Sequence, residues 1–163
     1  WEGTNFIQSM DLVGRKMSMK GGSIFAGWVQ EMVDFYEANK DNPTFVKEFA
    51  NLGRALIAYK EMTAALQGYF KNNISLVPLY SRRVLTASAQ LYCGRLILDQ
   101  ALLAEKRAKE VGPDHYDYNF YTGKVATARY YLRNVVPNVW MISEIVIDGD
   151  NSAIDVPVEV FEY

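Results

Sequence analysis

Apolar residues recur along this chain at steps of three and four, the spacing that gathers side chains on one face of a helix. Thr4 and Asn5 can cap a first helix that buries Ile7, Met10, Val13 and Met17, with "KGGS" at 20–23 as its stop. A second helix follows Ser23 and places Phe25, Trp28, Met32 and Tyr36 on one stripe. "NKDNP" ends it, and Asn42 with Pro43 reads as the cap and first residue of a third helix. There Phe45, Phe49, Leu52, Leu56, Tyr59 and Met62 fall in register, and the pattern fades at "KNNIS". Pro78 opens a fourth helix whose apolar face is wide, with Leu85, Ala89, Tyr92, Leu96 and Leu103, which predicts burial on more than one side. Gly112-Pro113 ends it.

A fifth helix stacks Tyr118, Tyr121, Val125, Ala128, Leu132 and Val135, and Pro137 is expected to kink or interrupt it. After "DGDNS" the period becomes two: Ile154, Val156, Val158 and Val160 alternate with other residues in an extended tail, which Pro157 confines to an edge or a docked position. The predicted fold is all-α, an antiparallel four-helix bundle over 23–147, preceded by a lead-in helix within 1–20 and followed by an extended tail, 148–163. Gly53, Gly68, Gly94 and Gly123 fall inside helical patterns, where each costs about 1 kcal/mol relative to Ala, and close helix crossing is the reason considered for keeping them.

Composition narrows the function classes. Half of the 163 residues are apolar and 13% aromatic, which excludes a disordered charged segment. The formal charge is −2 with the basic residues scattered, so neither a nucleic-acid face nor a basic membrane-binding face is expected. Apolar runs are broken well short of a membrane span. Cys93 is the single cysteine; "LYCGRLIL" reads it as a small buried hydrophobe, and a reducing, cytoplasmic setting fits.

Several chemistries lack their residues. The single histidine, His115, follows Gly-Pro-Asp in a loop, so the paired Glu-x-x-His steps of a di-iron bundle are missing and no metal site is expected. The same scarcity removes a Ser-His-Asp or Cys-His nucleophile. No glycine-rich phosphate cradle is present. The tyrosines of "HYDYNFYTGKVATARYY" have helical spacing and read as packing rather than as a base-stacking platform.

The opening remains: "WEGTNFIQSMDLVGRK" lacks an initiator Met and runs an aromatic and an acid straight into a helix, as though it continued something longer. Spacing alone makes Glu2 an acid favoured near a helix N-terminus. Yet "EGTNFIQ" followed by "DLVGRK" resembles the acyl-CoA dehydrogenase family, in the branch with an extra C-terminal helical domain. A weaker likeness runs through "ASAQLYCGRLIL" and "KVATARYYLRNVVP". The resemblance implies that residues 1–20 end the catalytic domain and that 23–147 form the accessory bundle. It makes Glu2 the base that takes the α-proton of an acyl-CoA thioester while FAD accepts hydride from the β-carbon. Trp1 and Gly3 then line the acyl chain, and Thr4 and Phe6 contact FAD. Trp1 stands where the family usually has Tyr, and Phe6 where Gly, Glu or Gln is usual, so the latter contact falls to the backbone.

An electron-transfer acceptor and a two-fold homodimer are implied as partners. The piece alone is expected neither to hold FAD nor to turn over substrate, since the family's other domains enclose both. The competing expectation is a non-catalytic helical module that serves assembly.

Overall fold

A computed structural model describes residues 3–162. Trp1, Glu2 and Tyr163 lie outside the described residues. Six α-helices follow in order: α1 Thr4–Gly14, α2 Ser23–Asn39, α3 Val46–Asn72, α4 Leu76–Val111, α5 Tyr118–Asn134 and α6 Asn138–Asp148. Short 3-10 segments cover Lys16–Gly22 and Val158–Phe161, and there is no strand among the described residues. The chain is all-α, as the periodicity predicts. α3 and α4 form a long hairpin, α5 lies along α4, α6 packs on α3 and α4, and α1 lies against α4. α5 and α6 together make the fourth arm of the bundle.

The α3 stripe is buried as predicted: Phe45, Phe49, Leu52, Tyr59 and Met62 have no exposed surface, and Leu56 has 4%. The break between α5 and α6 falls at Pro137, which has no N–H to offer the carbonyl one turn back. The path from α1 to α2 turns through Lys20, Gly21 and Gly22, all at positive φ (51°, 67° and 85°). Two consecutive glycines make that left-handed elbow accessible.

Hydrogen bonds tie the helices to one another. Arg133 Nε donates to the buried Glu48 carboxylate at 2.6 Å, and Asn51 Nδ2 to the Leu132 carbonyl at 2.9 Å. The Tyr59 and Ser88 hydroxyls meet at 2.7 Å, and Ser143 Oγ donates to the Ala58 carbonyl at 2.7 Å. Burial holds the Tyr59 phenol well above its ordinary pKa, against the lowering effect of Ser88. The end of α6 is closed by Tyr69, whose hydroxyl donates to the Val146 carbonyl at 2.7 Å.

Several sequence expectations are corrected. No side-chain cap closes α1: Gly3 occupies the N-cap position and Thr4 is the first helical residue. Ile7 is exposed rather than buried; Ser9, Val13 and Met17 form the inward stripe instead. Asn42 caps a turn, accepting the Thr44 N–H at 2.9 Å, and α3 begins only after Phe45 has entered the core. Pro78 is the third residue of α4, where its missing N–H would have no helical partner anyway.

The buried stripe of α4 is one position off the predicted one. Val84, Ala87, Leu91, Gly94, Leu98 and Ala101 face inward, while Leu85, Tyr92 and Leu96 are half-buried and Ala89 and Leu103 exposed. Small residues let α3 and α5 approach closely there, and a reading weighted toward large side chains passes over them. Cys93 is exposed rather than buried, because it neighbours that stripe without belonging to it. Of the four helical glycines, Gly53 and Gly94 do lie at close crossings: an added Cβ would stand 2.7 Å from the Tyr36 ring and 2.7 Å from Val136 Cγ2, respectively. Gly68 and Gly123 have nothing within 4 Å, so crossing does not account for them.

The tail leaves the bundle at Gly149. Tyr80 Oη holds the Asp150 carbonyl at 3.1 Å, and Asn73 Nδ2 donates to Asn151 Oδ1 at 2.9 Å. Beyond that anchor, Ile154, Val156, Val158, Val160 and Phe161 are exposed. The alternation does not become a strand; Pro157 is extended and the chain then closes into a 3-10 turn. With no sheet edge among the described residues to pair with, a period-two segment keeps only local turns.

Candidate functional site

Of the predicted site residues, Trp1 and Glu2 lie outside the described part, and Gly3, Thr4 and Phe6 come together on the first turn of α1. All three are exposed. No side chain caps that turn, and the Phe6 side chain is 54% exposed. The five main cavities among the described residues are lined by other side chains.

What fixes the turn lies one turn further on. Ser9, Val13 and Met17 point into the bundle, at 0%, 3% and 3% exposure. Ser9 Oγ lies 2.9 Å from Ser81 Oγ of α4, and both serines are fully buried. Ser9 also donates to the Phe6 carbonyl at 2.8 Å, and Ser81 to the Pro78 carbonyl at 3.0 Å. Each hydroxyl has one proton, so one serine donates across the interface while the other donates back into its own helix. Sequence reasoning missed this pair. The available signal was a polar residue at 9, in step with Val13 and Met17 at intervals of four.

The outer side of α1 carries charge. Asp11 accepts from Arg15 Nε at 2.5 Å and faces Lys16 Nζ at 3.2 Å. The Arg15 hydrogen bond, above all, holds the Asp11 carboxyl below its ordinary pKa. This cluster is solvated and local to the helix end.

His115 is exposed, stacked on Tyr116 with centroids 4.6 Å apart, and its Nδ1 accepts the Asp117 N–H at 3.1 Å. No group of three or more His, Cys, Asp or Glu able to hold a metal occurs among the described residues. An open cavity of about 710 Å³ lies between the end of α4 and α5, near Glu105, Lys109 and Arg129, at the other end of α4 from Ser81. No helix among the described residues is long and apolar enough to cross a membrane.

A family model described as acetyl-CoA dehydrogenase C-terminal like matches residues 25–157, which span α2 to α6 and the start of the tail. The chain belongs to this acyl-CoA dehydrogenase family. Two proteins of Syntrophomonas wolfei, each named butyryl-CoA dehydrogenase, are 46% and 43% identical to it over 161 and 159 residues. A broad-specificity linear acyl-CoA dehydrogenase of Mycobacterium tuberculosis is 29% identical over 167 aligned positions. These alignments take in 98–99% of the chain but only 26–27% of each relative, so the chain spans about a quarter of the length of the curated dehydrogenases it matches. The match to α2–α6 makes the bundle the family's C-terminal helical region, and α1 falls within the alignments to the whole dehydrogenases.

Proposed function

We propose that this chain acts as the C-terminal part of a flavin-dependent acyl-CoA dehydrogenase, with Glu2 as the base that removes the α-proton of an acyl-CoA thioester. The observation that carries this reading is the 46% identity to a butyryl-CoA dehydrogenase over 161 residues, together with the "WEGTN" opening that leads into α1. The names of the two Syntrophomonas relatives favour a short linear acyl chain as substrate. FAD, when bound, supplies the hydride acceptor. This chain's own residues do the rest: Trp1 and Gly3 border the acyl chain, Thr4 and the backbone of Phe6 meet the cofactor, and Glu2 holds the abstracted proton.

A carboxylate set against a poorly acidic C–H works best where water is scarce and its pKa is raised. The open first turn of α1 needs the rest of the enzyme to supply those walls, and the isolated chain is therefore inactive. In the complete protein the bundle packs on the catalytic body and contributes to a two-fold dimer. Reduced flavin is reoxidised by an electron-transfer partner, and the enzyme works in the cytoplasm.

The test is Glu2→Gln in the full-length, FAD-loaded enzyme. Loss of about 100-fold or more in kcat, with flavin absorbance and oligomeric state retained, is the expected result. Undiminished activity overturns the assignment and leaves an assembly module.

A further inference from the structure

Among the described residues of α1, one hydrogen bond fastens the helix to the bundle, the Ser9–Ser81 pair. The Asp11, Arg15 and Lys16 ion pairs stay within the helix and its immediate continuation. The apolar contacts of Val13 and Met17 resist withdrawal of α1 but tolerate small slides and rotations, because dispersion and burial are non-directional. Two buried hydroxyls behave differently. They must meet within hydrogen-bonding distance, and a slide of an ångström or so removes that partner from both.

The pair also reaches the first turn directly, since the Ser9 hydroxyl bonds the Phe6 carbonyl at 2.8 Å. A chain of contacts therefore runs from Ser81 on α4, through Ser9, to the turn that holds Gly3, Thr4 and Phe6, with Glu2 immediately before it in sequence.

We infer that Ser81, on the accessory bundle, is a positioning residue for the base: acting through Ser9, it fixes the axial and rotational setting of α1. This rests on the reading of Glu2 as the base. It assigns the bundle a part in the chemical step in addition to assembly, because α4 becomes the reference against which the base is set. The energetics separate this role from plain structural support. Removing either hydroxyl leaves the other bonded to its own helix, Ser9 to Phe6 or Ser81 to Pro78, so no buried donor is stranded and the loss of stability is small. The loss of setting is not compensated, and reaction rates fall steeply with misplacement of a reacting group.

The experiment uses the full-length, FAD-loaded enzyme with Ser81→Ala, Ser9→Ala, the double variant and Ser88→Ala. Ser88 is also a nearly buried α4 serine, bonded to Tyr59 and to the Val84 carbonyl, and it serves as the stability control. Ser81→Ala and Ser9→Ala should each lower kcat about tenfold, with KM within about twofold, and enlarge the isotope effect with α-deuterated substrate. The apparent pKa in the kcat–pH profile should move as well. The double variant should match the single ones, since both break one contact. Ser88→Ala should lower thermal stability with kcat and the pH profile unchanged.

Kinetics of Ser81→Ala and Ser9→Ala indistinguishable from those of Ser88→Ala overturn the positioning role while leaving the base intact. Activity retained in Glu2→Gln overturns the base and this inference together. Should Ser81→Ala not fold, Ser9→Ala alone decides, because it breaks the same contact from the other side.

Discussion

Alanine at the four helical glycines should give opposite signs from one sequence motif. Replacing Gly by Ala inside a helix gains about 1 kcal/mol from backbone entropy and propensity. At Gly68 and Gly123 the new methyl group meets nothing within 4 Å, so that gain stands alone. At Gly94 the methyl lands 2.7 Å from Val136 Cγ2, well inside contact distance. Val136 is fully buried, β-branched and next to Pro137, so it can neither rotate nor retreat easily. Overpacking of this kind costs about 1–3 kcal/mol, which leaves Gly94→Ala about 1 kcal/mol less stable than the parent. Gly53 is intermediate, because the Tyr36 ring that crowds it is half-buried and can swing.

Thermal and urea unfolding of the chain read these differences directly. For a protein of this size 1 kcal/mol is a shift of about 2–4 °C in Tm. Gly68→Ala and Gly123→Ala should therefore rise by roughly that much, and Gly94→Ala should fall. Adding Val136→Ala to Gly94→Ala should cost less than Val136→Ala alone, since the new methyl group occupies the vacated space. A Gly94→Ala protein more stable than its parent would falsify the claim that α4 and the α5–α6 bend meet at a backbone-limited distance.

Two further outcomes test the buried polar groups. Arg133→Met should destabilise the chain by about 3 kcal/mol, because it strands the Glu48 carboxylate at 1% exposure, whereas Glu48→Gln should cost about 1 kcal/mol, since the Arg133 side chain is 41% exposed and water can replace its partner; equal losses in urea unfolding would refute the asymmetry. The Tyr59 phenol, raised by burial, stays protonated in the fold above the pH at which the unfolded chain loses that proton, so its contribution is whole below about pH 10 and declines as pH rises. Tyr59→Phe should flatten the alkaline limb of the stability–pH curve, and an unchanged limb argues that another group sets it.

Large side chains at helical spacing were readable where one face alone is buried. Phe45 at the N-cap of α3 and Phe49, Leu52 and Tyr59 within it stand where the periodicity puts them, and Pro137 breaks the chain where its missing N–H requires. Reading failed on α4, which is enclosed by several neighbours and packs through Ala87, Gly94 and Ala101, residues with little hydrophobic weight of their own. It failed at Ile7 because periodicity alone does not say which face of a short helix meets the bundle. It failed in the tail because alternation describes a strand only where another edge is there to pair with. The candidate site was legible as a motif, through "WEGTN" and "DLVGRK", but not as a placement. The Ser9–Ser81 contact joins positions 72 apart in sequence, and neither serine differs locally from a solvated one.

The elbow at Lys20, Gly21 and Gly22 marks an obvious place to divide the chain, and the family match begins just beyond it. Yet Val13 and Met17, on the near side, are set among the residues of the far side. The seam along the polypeptide and the seam through the folded volume therefore fall in different places. A truncated bundle starting at Ser23 would carry an uncovered apolar trough, whereas one that retains residues 4–22 keeps its plug. Anyone excising this region for separate handling should cut before the first helix, not after it.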